Sequence, residues 1–264
     1  MTSKRIYQWF IGTSIVLFFI SLTQVDLEYA RLTTGFKDFA EMLLKMFPPA
    51  NLEWDRVLEG VLESWHIAVV GTSIAIVISL FLSLTAASNV SPMKGLSSIV
   101  KGFAALMRVI PVFIWALIFV VSLGMGPLAG IMALAVHSLG MLIKVYAESI
   151  EEVKPGIIEA MRSTGAGWWS MMMRGVIPSA MTSILSWSLF RLEIDLRYST
   201  ILGMVGAGGI GLIMLGTLRM YNLQATLSII LIMFAMIFTV EFIGSRIKAR
   251  WLNGPTKRTG VTIG

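Results

Sequence analysis

The sequence predicts an all-α integral membrane protein that crosses the bilayer six times. Three observations carry this prediction. First, the 264 residues are 56% hydrophobic and 14% charged, with a mean hydropathy of +0.81, too little polar surface to coat a soluble globule of this size. Second, apolar runs of about 20 residues recur, the length that spans a ~30 Å hydrocarbon layer at ~1.5 Å per residue. Third, the bases behind the formal net charge of +6 gather on alternate connections, as the positive-inside rule requires. That distribution reads as topology and excludes a nucleic-acid footprint. The absence of cysteine excludes disulfides and thiolate metal sites, and His66 and His137 lie too far apart for metal-ligand spacing.

The first span, 9–25, follows Lys4 and Arg5. A signal peptide has the same shape, but Ser21 and Thr23 make a poor cleavage site, so the span is read as retained. Residues 26–60 hold seven acids, beginning with Asp26 and Glu28, against four bases. Within them Phe36, Phe39, Leu43 and Leu44 recur near helical spacing until Pro48 and Pro49 end the pattern, which describes an amphipathic surface helix. Region 1–60 is therefore an amino-terminal span with an extracytoplasmic segment. A core of five further spans occupies 61–247, and 248–264 is a basic tail containing Lys257 and Arg258. The core spans are 61–87, 96–123 (interrupted by Arg108 and Pro111), 128–146, 181–205 and 225–244. Counting Lys and Arg near the span ends puts both termini, the 88–101 turn and the 151–180 loop on the cytoplasmic side.

That loop contains EAMRSTGAGWWSMMMRGVIP, residues 159–178. Glu159 is expected in the first turn of a helix behind Pro155 and Gly156, where a carboxylate favours the positive end of the helix dipole. Gly165 and Gly167 then break the helix. Trp168, Trp169 and Met171 to Met173 form a bulky apolar knob, expected to be exposed, that fits either a protein partner or the lipid interface.

The fifth span carries Arg191, Glu193, Asp195 and Arg197 near mid-depth, where four ionisable groups cannot face lipid cheaply. Arg191 with Asp195, and Glu193 with Arg197, are each four residues apart, so two pairs on two sides of the helix are expected. They are either ion pairs that fix packing or the wall of a polar path, and Thr200 extends the stripe. Gly206, Gly208, Gly209 and Gly211 follow. Their G-x-G-x-x-G spacing has meaning as a dinucleotide fingerprint only between a strand and a helix, which a span end does not offer. Close backbone packing or an unwound segment explains it better, and freed amides there are a candidate for holding an anion.

These motifs together resemble known proteins. Glu159 and Ala160, then Gly165 and Ala166, then Ile177 and Pro178 resemble the EAA loop of ABC importer permeases, whose pattern is E-A-A, three residues, G, nine residues, I-x-L-P. Met161 stands for the second alanine, Gly175 for the Ile and Ile177 for the Leu. RVIPVFIWAL from Arg108, and RLEIDLRYSTILGMVGAGGIG from Arg191, resemble phosphonate-type permeases, with Asp195 where that group has Asn. The resemblance covers roughly residues 60–245. It implies the type I ABC importer permease fold and a pore half for a small phosphorus oxyanion: phosphonate, phosphite or hypophosphite. It also implies two ATPase subunits, with the 159–178 loop docked into a cleft on one of them, an extracytoplasmic solute-binding protein, and a second permease copy or sibling in a bacterial inner membrane. Arg108, Pro111 and the charges and glycines of 191–211 would line or gate the path. The sequence has no G-x-x-x-x-G-K-[ST], so ATP and its Mg belong to the partner ATPase and no cofactor is expected in this chain. It also has no catalytic constellation. Rival readings are a permease of the same superfamily for an amino acid or metal chelate, and a secondary transporter, which would show inverted repeats.

Overall fold

A computed structural model describes residues 2–24 and 29–252, and among them all regular structure is helical. Asp26 and Glu28, and residues 253–264 with Lys257 and Arg258, lie outside the described residues. The helices are α1 (Thr2–Gln24), α2 (Tyr29–Met46), α3 (Trp54–Ala86), α4 (Lys94–Val109), α5 (Val112–Leu123) and α6 (Pro127–Glu151). They continue with α7 (Pro155–Ser163), α8 (Trp168–Met171), a π-helical turn (Met172–Val176), α9 (Ile177–Gly203), α10 (Ile210–Arg219) and α11 (Leu223–Leu252). The chain divides into two units, Met1–Pro48 and Pro49–Gly264. Residues 49–60, expected with the amino-terminal region, belong to the second. Lys248 is likewise helical and not part of a free tail.

The six-span expectation needs correcting. Among the described residues four helices are long and apolar enough to cross a membrane: α1, α3, α6 and α11. The expected span 96–123 is two helices, α4 and α5, bent by 84° at the break. Pro111 supplies the break: it has no N–H to continue α4, and it pushes Ile110 into extended backbone (φ −76°, ψ 119°). α9 has the length of a span at 27 residues, but its serines and four charges dilute its apolarity. Six crossings are reached only if the bent pair and α9 each count as one. A further difference is α10, a ten-residue helix where only a glycine-rich connection was expected.

The core is organised around α6, which packs against α3, α4, α5 and α9. Small side chains make this possible, since Ala129, Gly130, Ala133, Ser138, Gly140 and Ala147 are all buried and allow neighbouring backbones to close in. Gly140 is the tightest case, because a Cβ there would stand 2.7 Å from Ala104 O and 2.8 Å from Arg108 N. α4 therefore crosses α6 with backbone against backbone. Around the inner half of this crossing Leu142, Ile143, Tyr146 and Ile150 pack with Met172, Val176 and Ile184. A second cluster joins Ile67, Ala116, Leu134, Leu196 and Leu202.

Polar groups fasten this apolar frame at one point. Asp195 of α9 is fully buried. Its Oδ2 accepts hydrogen bonds from Thr72 Oγ1 of α3 at 2.8 Å and Ser138 Oγ of α6 at 2.6 Å. Its Oδ1 lies 2.8 Å from Arg191 Nη2, and Arg191 Nε donates to Ser138 Oγ at 2.9 Å. Arg191 is 3% exposed and also faces the Tyr198 ring at 5.8 Å. One carboxylate thus ties three helices together and neutralises a buried guanidinium. Replacing Asp195 by Leu leaves that guanidinium uncompensated, a loss of about 3–5 kcal/mol. The expected outcome is a lower unfolding midpoint in detergent for Asp195→Leu and recovery of most of it in the double variant Arg191→Leu, Asp195→Leu. Equal stability of the single variant and the parent contradicts the assignment.

Candidate functional site

The charged middle of α9 has two sides of different character. On one, Arg191 and Asp195 form the expected pair and are sealed in protein. On the other, the expected pair of Glu193 with Arg197 is absent. Glu193 instead binds Lys248 Nζ at 2.9 Å, and Arg197 binds Glu241 at 2.8 Å. Both partners are on α11, which runs beside α9. Glu193 and Arg197 are one turn apart and Glu241 and Lys248 two turns apart, so an antiparallel neighbour meets both charges at once, and local pairing loses to it. Gly244 allows the approach, since any side chain there would occupy the place of the Glu193 carboxylate. Thr200 is buried, and its hydroxyl donates to Arg197 O at 2.7 Å. The polar stripe is therefore consumed by packing along most of its length.

The glycine segment behaves similarly. Gly206, Gly208 and Gly209 have positive φ (93°, 83° and 76°), a conformation that L side chains rarely adopt. At Gly211 a Cβ would run into Thr200 O, so α10 can lie back against the end of α9 only with glycine there. The amides considered for an anion are already engaged. Gly209 N donates to Glu63 Oε2 at 2.8 Å and Ile210 N to Ser64 Oγ at 2.9 Å. Glu63 and Ser64 thus cap α10, placing a carboxylate at the positive end of its dipole. They are residues the sequence reading missed, because a cap 146 positions away leaves no local signal.

Arg108 and Pro111 stand apart from these groups, at the elbow between α4 and α5, and both are exposed. Arg108 has no acid within reach. Below it, Lys101 binds Glu151 at 2.8 Å and Lys144 lies 3.5 Å from Glu148. With Gly140 these residues line a cavity of about 200 Å³ between α4 and α6.

The 151–180 segment is a two-arm helical loop. α7 starts at Pro155, whose missing N–H falls where a helix leaves one unused. Glu159 is its fifth residue, so the expectation of a first-turn carboxylate fails, and both Glu159 and Ala160 are exposed. The helix ends in a double closure: Gly165 N donates to Arg162 O at 2.9 Å and Ala166 N to Met161 O at 3.3 Å. Gly165 takes φ +73°, the left-handed conformation that this cap demands. The knob is only partly exposed. Met171 and Met172 are buried at 4% and 0% while Trp169 remains 55% and Met173 46% exposed. Trp168 Nε1 donates to Val90 O at 2.7 Å, fastening the loop to the turn between α3 and α4. Ile177 is buried and Pro178 exposed at the start of α9. Two departures from the importer pattern explain each other. A Cβ on Gly175 would lie 3.0 Å from Met161 Cγ, so the larger residue at 161 takes the space opened by the smaller one at 175.

Known proteins place this architecture. Residues 64–253 match the family described as binding-protein-dependent transport system inner membrane component. The chain is 32% identical over 254 residues to the putative phosphite transport system permease protein HtxC of Stutzerimonas stutzeri, covering 94% of this chain and 89% of that one. It is 38% identical over 184 residues to the phosphate-import permease protein PhnE of Mycolicibacterium smegmatis, covering 70% of this chain and 35% of that one. Among solved structures, the inward-facing MetNI methionine ABC transporter superposes with a TM-score of 0.66 at 22% identity, over 74% of this chain and 95% of that chain. A bacterial ABC transporter that imports alginate superposes at 0.56 and 17%, over 92% and 98%. At such identities the structures speak for the fold alone, and the family match covers most of the chain. This chain therefore belongs to the binding-protein-dependent transport system inner membrane component family and has the type I ABC importer permease fold.

Proposed function

We propose that this permease forms half of an ATP-driven pore that imports a small phosphorus oxyanion: a phosphonate, phosphite or hypophosphite. The reading is carried by the unbroken run of residues 191–211, which follows the phosphonate-type pattern except for Asp195 in place of Asn, together with similarity along nearly the whole chain to a relative named for phosphite transport. A second copy or a sibling permease completes the pore. The complex holds two ATPase subunits, one of which receives the 151–180 loop of this chain from the cytoplasm, and an extracytoplasmic binding protein delivers the ion to the opposite face of the bacterial inner membrane. Both termini lie on the ATPase side, as the distribution of bases supports.

The loop's construction suits a lever. Glu159, Ala160, Gly165 and Trp169 face outward from a body held by the Gly165 cap, the buried Ile158 and Met172, and the Trp168 bond to Val90. A push on it travels into α9 through the continuous helix 168–203 and into α3 and α4 through Val90. Closure of the ATPases then shifts the pore between inward and outward openings, which requires different contacts in each state. In reconstituted vesicles containing the ATPase and the binding protein, Glu159→Lys and Gly165→Val are expected to lower ATP-driven uptake roughly tenfold or more while membrane insertion is unaffected. Uptake at the parental rate by both variants contradicts the proposed role of the loop.

A further inference from the structure

We propose that Arg108 receives the transported oxyanion at the inner end of a charged vestibule between α4 and α6. The inference rests on the phosphorus-oxyanion reading above and adds the residue that would hold the ion.

Arg56 of α3, Lys101 of α4, Lys144 of α6, Arg191 and Arg197 of α9 and Lys248 of α11 each meet an acid, and Arg246 rests on the Phe242 ring. Arg191 and Arg197, the sequence-level candidates for attracting an anion, are neutralised by Asp195 and Glu241. Arg108 has no such partner, yet its backbone lies against Gly140, near the middle of α6. From Gly140 to the end of α6 at Glu151 is roughly 16 Å at the ~1.5 Å rise, so the backbone of Arg108 meets α6 well away from its loop end. An unpaired charge at that depth is expensive unless it faces water, protein or an opposite charge.

The cavity beside it supplies that environment. Lys144, Glu148 and Glu151 follow one another at spacings of four and three residues, so they line one face of α6 from Arg108 toward the loop end. Lys101 and Lys144 are tied down by Glu151 and Glu148, leaving Arg108 as the one uncompensated positive charge in the cavity's lining. About 200 Å³ of space holds several waters at about 30 Å³ each, or a small tetrahedral oxyanion with part of its hydration shell. A guanidinium offers such an ion a planar two-pronged donor, and a lysine would offer only a point charge.

The cysteine-free chain makes a charge-restoration test clean. The full complex is reconstituted in vesicles, and ATP-dependent uptake of phosphite, hypophosphite and methylphosphonate is measured for the parent and for Arg108→Cys. The variant is checked for co-purification with the ATPase subunits. Expected is a loss of about tenfold or more, restored several-fold when aminoethyl methanethiosulfonate adds an ammonium and not when sulfonatoethyl methanethiosulfonate adds a sulfonate. Arg108→Lys is expected to fall between parent and Cys. Parental uptake by Arg108→Cys, or equal restoration by both reagents, overturns the assignment. If that variant also retains less anionic phospholipid through purification, the cation serves a lipid phosphate instead. A parent that moves none of the three ions removes the functional reading itself, an outcome distinct from failure at Arg108.

Discussion

The Asp195 carboxylate is the interaction on which the rest of the membrane core depends. It accepts hydrogen bonds from Thr72 on α3 and Ser138 on α6 and balances Arg191 on its own helix. In hydrocarbon no water is available to take over any of these roles, so each partner fixes the position of the others. Helix association in a bilayer gains little from the hydrophobic effect, because lipid is as apolar as leucine. Close packing of small residues and a few satisfied polar contacts must supply it. The small-residue face of α6 provides the first, and this node provides the second.

The same constraint explains the arrangement of the other charges. Glu193 and Arg197 turn to α11, and Glu63 reaches the amides of Gly209 and Ile210. Each of these three charges is spent on holding one helix against another. What remains is a frame with few soft joints, the elbow at Pro111 and the positive-φ glycines before α10, joined to the loop between α6 and α9. The loop itself is stiff, capped at Gly165 and bonded through Trp168 to the α3–α4 turn. Stiffness at the point of attack and softness elsewhere is what a lever requires, since force applied to a compliant loop would dissipate there.

Much of this was legible in the sequence, for identifiable reasons. Spans announce themselves through long apolar runs, and the α7 cap through Gly165, because both signals are local. The Arg191–Asp195 pair was readable from its spacing of four. Its neighbour was misread because Glu193 and Arg197 have the same spacing, and a single sequence does not reveal that α11 places Lys248 and Glu241 alongside. The complementary charges two turns apart on that last helix were the available clue. Pro111 was recognisable as an interruption, but an 84° bend is set by how α4 and α5 pack on α6 and not by the proline alone. Glu63, Ser64, Thr72 and Ser138 were invisible as site residues, since their partners lie tens of residues away. The half-buried knob followed from a similar blindness: Met171 and Met172 look like any exposed methionines until the core beneath them is seen.

The account stands on the outward face of the 155–176 loop being presented to a cytoplasmic ATPase. Because the chain contains no cysteine, one placed at Ser163, an exposed residue at the end of α7, reports its side without interference. A membrane-impermeant maleimide is predicted to label Ser163→Cys in inside-out vesicles and to leave it unlabelled in right-side-out vesicles of the same cells. Labelling from the outer face alone would contradict the account.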